Sequence, residues 1–529
     1  MSTAADTLPD DVAALRVMLL EARAERDAER AEKVRLVTER DQLAVQNDRL
    51  RHLLRQIQRM QFGRRSERLD PDQLNLALED LEQAVAETEA EQEKADPALK
   101  RVRAEKRRAV RGSMPEHLPR VEVVIEPEDI ACPCCGGAMQ VIGEDRSQRL
   151  DMIPAQYQVV VTRRPKYACR QCQEGVVQAS APARLIEGGL PTERLVAHVL
   201  VTKYADHAPL YRQCQIMARQ GIAIDRSVLA FWVGYAAAEV KPLWRLMREE
   251  LLRSTKLFAD ETTAPVLDPG RGRTKKGYFW ALARDDRPWR GGAPPAVVYT
   301  YAPGRSGEVA AALLKGYSGV LQTDGYTVYG QLAHPKRGGG ALTQAFCWAH
   351  WRRQWFDLAK SPAPVATEAL ERIAALYRIE AEIRGTSAEE RRAARQEQSR
   401  PLVAALKVWL EKMLLQLPSG STLAQVIRYG LSRWDGFTLF LDDGRVEIDS
   451  NTVERSIRPI VLTRKNALFA GSDEGAENWA VLASLIETCK LHGVNPEAYF
   501  TDVLTRLVNN WPNSRLAELL PWAWRPDLG

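Results

Sequence analysis

Apolar and polar positions change their period several times along the chain, and each change marks a different kind of element. Residues from about 11 to 60 are dense in Arg, Glu, Ala and Leu and hold neither Pro nor Gly, which predicts a long helix. In its later part Leu36, Leu43, Leu50 and Ile57 recur at seven-residue spacing, with Asn47 and Leu54 at the complementary core positions. An apolar seam of this period predicts a coiled coil, and an Asn inside it favours one register and two strands. A parallel dimer through residues 1–69 is therefore expected. The alternative is a surface helix packed on its own protein, because Lys33 and Arg40 weaken the early heptads. Gly63 ends the pattern, and Arg64 and Arg65 follow it with guanidinium forks.

Residues 70–120 read as an acidic helix, about 71–94, and then a basic linker. Residues 100–111 hold seven basic side chains against one acid, with Pro115 and Pro119 beyond. Over 121–186 the pattern turns to short β-branched stretches such as 121–125 and 157–161, predicting a small β-rich module. Helical periodicity returns over 187–255. A helix over 211–219, a turn over 220–224 with Gly221, and a second helix opened by an Asp225 or Ser227 cap have helix-turn-helix spacing. Arg226 falls near the start of the recognition helix, although any αα-hairpin shares this spacing.

From 256 strands and helices alternate. A strand runs into Asp260, others cover 277–282 and 296–300, a helix covers about 306–315, and a further strand ends at Asp324. Three neighbouring strands, a helix and a fourth strand fit an RNase H-like sheet, in which the first and fourth strands lie side by side. The core is expected over 256–360, interrupted by a helical insert over 361–440 whose charged stretch 387–398 reads as a solvated face. It is completed over 441–495 by a helix carrying Glu454, Arg455 and Arg458, and 496–529 forms a C-terminal element. The expected fold is thus multidomain α+β.

Composition adds limits. The chain has 529 residues, 45% hydrophobic and 27% charged, too long for one core and ordinary for a globular protein. The sequence contains neither an apolar run of membrane-spanning length nor a signal pattern at its start, so a cytoplasmic protein without a membrane partner is expected. A net charge of +5 is only mildly basic and argues weakly for nucleic acid.

Five of the eight cysteines lie in two knuckles, Cys132-Pro133-Cys134-Cys135 and Cys169-Arg170-Gln171-Cys172. Cys132, Cys135, Cys169 and Cys172 can surround one tetrahedral, structural Zn²⁺, with Cys134 a competing ligand. Cys214, Cys347 and Cys489 stand singly in apolar surroundings and are assigned no chemistry.

Asp260, Asp324 and Glu454 carry the candidate catalysis. Two carboxylates held close stay ionised only when cations neutralise them. Their hard oxygens suit two Mg²⁺ or Mn²⁺ ions, which can activate the attacking oxygen and stabilise the leaving one in phosphodiester chemistry. An Asp between an apolar strand and Gly325-Tyr326 can equally be a turn residue.

Several separate motifs resemble the IS66 family of insertion-sequence transposases: Phe62-Gly63-Arg64-Arg65-Ser66-Glu67-Arg68, the two knuckles, Lys203-Tyr204-Ala205-Asp206-His207, Asp260-Glu261-Thr262, Thr323-Asp324-Gly325-Tyr326, Cys347-Trp348-Ala349-His350, and the run from Glu454-Arg455-Ser456 to Phe469-Ala470-Gly471-Ser472. The resemblance implies a bacterial DDE transposase with Asp260, Asp324 and Glu454 as its acidic triad. It implies double-stranded DNA, both element ends and target, as the partner, with nucleoid association when DNA is bound. A homodimer or higher oligomer and accessory proteins encoded by the element are further implied partners. Arg64, Arg65, Arg226, His350, Arg353, Arg455 and Arg458 are the DNA-contact candidates. Two departures stand out: Asp449-Ser450-Asn451 where the family often has Asp-Asn-Asn, and Trp351 where a smaller residue is usual. The implied reaction is end binding, strand cleavage and attack of the freed 3′-hydroxyl on target. Rival readings are an inactive DNA-binding repressor or assembly factor, and a structure-selective nuclease of the same fold.

Overall fold

The computed structural model describes residues 11–13, 16–35, 38, 96–110, 156–168, 176–268, 273–333 and 342–526, and the chain divides into two units, Met1–Pro154 and Ala155–Gly529. In the first unit residues 16–35 are helical and exposed. The heptad positions Leu36, Leu43, Asn47, Leu50, Leu54 and Ile57, Arg64 and Arg65, and the five knuckle cysteines lie outside the described residues. The basic stretch expected as a linker is helical instead, as α1 (Pro97–Val110). Asp96 starts it by accepting a hydrogen bond from the Ala98 amide at 2.8 Å.

The second unit opens with residues 156–165 outside any regular element. Val159, Val160 and Val161, expected in a strand, are exposed there, so β-branching lacks the packed face that makes it favourable. A two-stranded antiparallel ribbon follows, β1 (Lys166–Ala168) with β2 (Val176–Gln178). Next come α2 (Glu193–Tyr204), α3 (Leu210–Ala218) and α4 (Arg226–Leu252). The predicted helix–turn–helix is present: Gly221 takes φ +78° in the turn and Asp225 caps α4 through the Ser227 amide at 2.7 Å. The second helix runs on to bury Val240, Leu243, Met247 and Leu251.

Five strands make the central sheet: β3 (Lys256–Asp268), β4 (Arg273–Arg284), β5 (Ala296–Ala302), β6 (Gly319–Thr323) and β7 (Leu342–Phe346), in the order β5-β4-β3-β6-β7. β4 is antiparallel to its neighbours β3 and β5, while β6 is parallel to β3 and β7 to β6. The short α5 (Gly307–Leu313) makes the crossover from β5 to β6. The apolar run Leu257-Phe258-Ala259 is buried, as expected for a strand covered on both faces.

β5 is an edge strand, and α13 (Asp473–Leu491) closes it. Ser484 Oγ accepts from the Tyr299 amide at 2.8 Å, and Thr488 Oγ1 bonds both the amide and carbonyl of Val297. Side-chain hydroxyls here replace a sixth strand and leave no open ladder at those residues. Every residue of α13 from Trp479 to Cys489 is buried, the mark of a helix surrounded by core.

α6 (Trp348–Leu358), in the range expected for the core, leads into a helical insert: α7 (Pro364–Ile383), α8 (Ala388–Ala394), a π-helical turn (Arg395–Ser399), α9 (Arg400–Gln416), α10 (Thr422–Leu431) and α11 (Trp434–Asp442). It has its own apolar core around Trp348, Trp351 and Trp355, which project from one face of α6. Trp351 donates from Nε1 to the Val426 carbonyl at 2.9 Å. A Cβ at Gly430 would come within 2.1 Å of the Trp351 ring, so the large residue is matched by a missing side chain opposite it.

The charged stretch 387–398 is not a solvated face throughout. Arg391 and Arg395 are fully buried. Arg395 grips Glu380 with two bonds at 2.6 and 2.7 Å, and Arg391 pairs with Glu447 at 2.7 Å. A charge pattern that looks solvated in one helix is neutralised by acids 11 or more positions away in the chain.

Candidate functional site

Three elements position the three acids: β3, β6 and α12 (Asn451–Ala467). The parallel pairing of β3 with β6 runs Lys256↔Val320, Leu257↔Leu321 and Phe258↔Gln322; the same offset carried two residues further sets Asp260 level with Asp324. Asp260 is thus not at the tip of its strand. β3 continues past it along β4, where it pairs with Ala281, while β6 ends at Thr323 and leaves Asp324 to open a turn. Gly325 makes that turn with φ +90°. Asp324 Oδ1 accepts from the Tyr326 amide at 2.8 Å, and its carbonyl accepts from Tyr429 Oη at 2.9 Å. The turn role weighed for Asp324 is therefore real, and it engages one carboxylate oxygen.

Glu454 lies in the first turn of α12. The helix is fastened over the sheet at several points: Tyr299 Oη donates to the Ser456 carbonyl, and Arg464 Nη1 reaches the hydroxyls of Thr262 and Thr263 on β3 at 3.2 and 2.8 Å. His207 Nδ1 meets Thr463 Oγ1 at 2.8 Å, tying the α2–α3 corner to the same helix. The segment leading into α12 docks on β6 through one side chain. Gln322 Nε2 donates to the carbonyls of Glu447 and Asp449 at 2.6 and 3.1 Å.

Electrostatics join the acids. Burial foremost, then the charges of Glu261 and Asp324 with a smaller part from Glu454, push the Asp260 carboxyl up to about 8, against the pull of the Glu261 amide. Glu261 is raised too, by burial first. Arg305 pairs with Glu261 at 2.8 Å and Tyr329 Oη donates to it at 2.8 Å. Asp449, half-buried, is pushed up to about 6 by desolvation first, with Glu447 and Glu454 adding to the effect. A patch that makes its own carboxylates hard to ionise is a site where a cation is welcome.

The trio does not converge to ligand distance. Among the described residues, the group of three potential metal ligands whose donor atoms all lie within 4.8 Å of one another is Cys347, His350 and Glu454. The Glu454 carboxylate is turned toward His350 Nδ1 at 3.5 Å and Ser450 Oγ at 3.4 Å.

Of the other candidates, Arg226 is exposed at the first position of α4, Arg353 and Arg455 are exposed, and His350 and Arg458 are half-buried. Sequence reading missed Glu261's partners Arg305 and Tyr329, and the place of Cys347 beside Glu454. Arg305 and Tyr329 lie 44 and 68 positions from Glu261, beyond any local period. For Cys347 one signal existed, its spacing of three residues from His350.

Comparison with known proteins bears on the same elements. The model of the transposase IS66 family matches residues 188–478, which include α2 to α12 and the whole central sheet. The chain belongs to the IS66 transposase family. Further matches are to the IS66 C-terminal element over 484–522, the transposase C of IS166 homeodomain over 49–123, and the zinc-finger binding domain of transposase IS66 over 129–173. This last range contains all five knuckle cysteines. These are domains of a DNA-binding transposase, with a homeodomain-like and a zinc-finger region. Similar chains occur in Sinorhizobium fredii (strain NBRC 101917 / NGR234): uncharacterized protein y4qI is 44% identical with 98% of each chain covered. Uncharacterized protein y4jD is 46% identical over 89% of this chain and 93% of its own. Among the described residues of this IS66 transposase, no helix is long and apolar enough to cross a membrane.

Proposed function

We propose that the protein binds the terminal inverted repeats of an insertion sequence and catalyses strand cleavage and 3′-hydroxyl strand transfer with Asp260, Asp324 and Glu454 as its acidic triad. The observation that carries this reading is the β3–β6 register, whose offset sets Asp260 level with Asp324. The sheet order and its mixed strand directions support an RNase H-like core, with the insert standing between the second and third acids.

The donor set fits hard divalent ions: carboxylate oxygens in a patch where burial foremost, and then the charges of Glu261 and Asp324, push the Asp260 carboxyl up to about 8. Asp260, Asp324 and Glu454 would hold two Mg²⁺ or Mn²⁺ ions, whose chemistry is to activate the attacking oxygen and neutralise charge on the leaving one. The chain's own residues do the rest. Gly325 and Tyr429 hold the Asp324 backbone in place, and Arg305 with Tyr329 keeps the Glu261 carboxylate occupied and away from the reacting phosphate. Arg226, Arg353, Arg455 and Arg458, with Arg64, Arg65 and His350, contact DNA phosphates at the ends and target. Cys132, Cys135, Cys169 and Cys172 hold one structural Zn²⁺; the zinc-finger match over 129–173 supports this. A dimer or larger assembly through residues 1–69 brings two ends together, with accessory proteins of the element as further partners in bacterial cytoplasm.

A strand-transfer assay on DNA carrying the element's ends, with Mg²⁺ or Mn²⁺, tests the reading. Cleavage and joining are expected, and Asp260→Asn, Asp324→Asn and Glu454→Gln should each lower both by roughly two to three orders of magnitude or more. End binding without cleavage would favour a repressor or assembly factor. Cleavage without joining would favour a nuclease.

A further inference from the structure

Cys347 occupies the N-cap position of α6, and His350 follows in its first turn. Both therefore face the first turn of α12, where Glu454 sits. Cys347 Sγ lies 4.0 Å from Glu454 Oε1, and His350 Nδ1 lies 3.5 Å from the same oxygen. The three donor atoms are all within 4.8 Å of one another. Ligands of one tetrahedral zinc, at bond lengths of about 2.0–2.3 Å, stand roughly 3.3–3.6 Å apart. Closing this set around an ion asks for movements of roughly 1 Å.

Two further features point to a ligand. His350 Nδ1 is shielded from solvent and makes no hydrogen bond, although a carboxylate oxygen is close by. A solvent-shielded nitrogen without a hydrogen bond, beside a thiol and a carboxylate, is a polar atom that a bound ion would satisfy. Cys347 is fully buried, and its sulfur accepts from the Ser450 amide at 3.2 Å. Burial pushes the free thiol up to about 12 against that hydrogen bond, so an ion bound here would displace the proton as it takes the sulfur.

We propose that Cys347, His350 and Glu454 form a binding site for a borderline transition-metal ion, Zn²⁺ foremost, distinct from the four-cysteine site. Thiolate with imidazole and one carboxylate is a set that Zn²⁺ and Co²⁺ take readily and that Mg²⁺ does not. Three protein ligands leave a fourth position open. The consequence for DNA chemistry rests on the function proposed above: an ion here claims Glu454, so Zn²⁺ and the ions at Asp260 and Asp324 compete for one carboxylate.

The test is metal content of the full-length protein, equilibrated with Zn²⁺ and then freed of loosely held ion, read by elemental mass spectrometry. Cobalt substitution supplies the second readout, the thiolate-to-cobalt charge-transfer absorption. Wild-type protein should hold one more ion per chain than Cys347→Ser or His350→Gln. Asp260→Asn and Asp324→Asn should keep that ion, and Cys169→Ser should lose a different one. Loss of a group that only hydrogen-bonds a ligand already weakens metal sites about 10–100-fold, so removal of a direct ligand should weaken Co²⁺ binding at least that much. His350→Gln, at a half-buried position, keeps the test informative if Cys347→Ser does not fold. Equal metal content in wild type and His350→Gln, with an unchanged cobalt spectrum, would overturn the site. Failure of the transposase reading appears in the DNA assay alone and leaves this metal count unmoved.

Discussion

Asp260 illustrates how much a single residue's chemistry depends on its neighbours. Its carboxyl is pushed up to about 8 by burial and by the charges of Glu261 and Asp324, whereas in the unfolded chain it titrates near 3.8. The folded state therefore keeps a proton that the unfolded chain releases, so this group's contribution to stability is full below about pH 4 and is lost as pH rises through about 8. Thermal melts of metal-free wild type should fall more steeply between pH 5 and 8 than those of Asp260→Asn. At pH 8, Mn²⁺ should raise the wild-type midpoint and leave that of Asp260→Asn unmoved; parallel slopes and equal responses would refute the coupling. Gly325 gives a second residue-scale expectation. Its φ of +90° and the 2.7 Å approach of Tyr429 Oη to a Cβ built there mean that Gly325→Ala should cost about 1–3 kcal/mol in urea denaturation. Sequence alone marked Asp260 and Asp324 as candidates of two possible kinds, metal ligand or turn former. Asp324 carries the turn bond on Oδ1, a duality that residue type could not resolve.

At the scale of elements, helix caps and strand patterns were legible because they rest on near neighbours in the chain. Asp225 capping α4 and the three apolar strands β3 to β5 follow that rule. The stretch 387–398 does not, because its partners come from α7 and from the segment before α12. Arg395 and Glu380 are both buried and doubly bonded, and Arg391 adds a contact to Glu380 at 3.5 Å and links onward to Glu447. Arg395→Met leaves Glu380 short of its main partner and should cost roughly 3–5 kcal/mol. The double variant Arg395→Met with Glu380→Leu should recover a good part of that loss, as measured by chemical denaturation. Additive losses would mean that the pair is not coupled. The Arg391–Glu447 link also joins the insert to the segment that Gln322 holds against β6, so the insert braces the approach to Glu454.

For the whole molecule, the chain leaves its sheet after β7, builds a separate core around three tryptophans and returns to lay α12 across β3. Interactions at this scale also set assembly. Deleting residues 1–69 should convert the protein to a smaller species in multi-angle light scattering if the heptad seam holds the dimer, while an unchanged mass would assign dimerisation elsewhere. By itself the sequence determined the family, the kinds of side chain available for chemistry, the helix caps and most of the strands, because each is written in residue identity or in spacings of two to four positions. Element order already suggested that β3 and β6 are neighbours; tertiary structure alone decided the register that sets Asp260 level with Asp324, that Arg391 and Arg395 are buried, and that Glu454 faces Cys347 and His350. Those outcomes come from parallel strand pairing and helix docking between segments up to 107 positions apart, and no local period encodes contacts of that range.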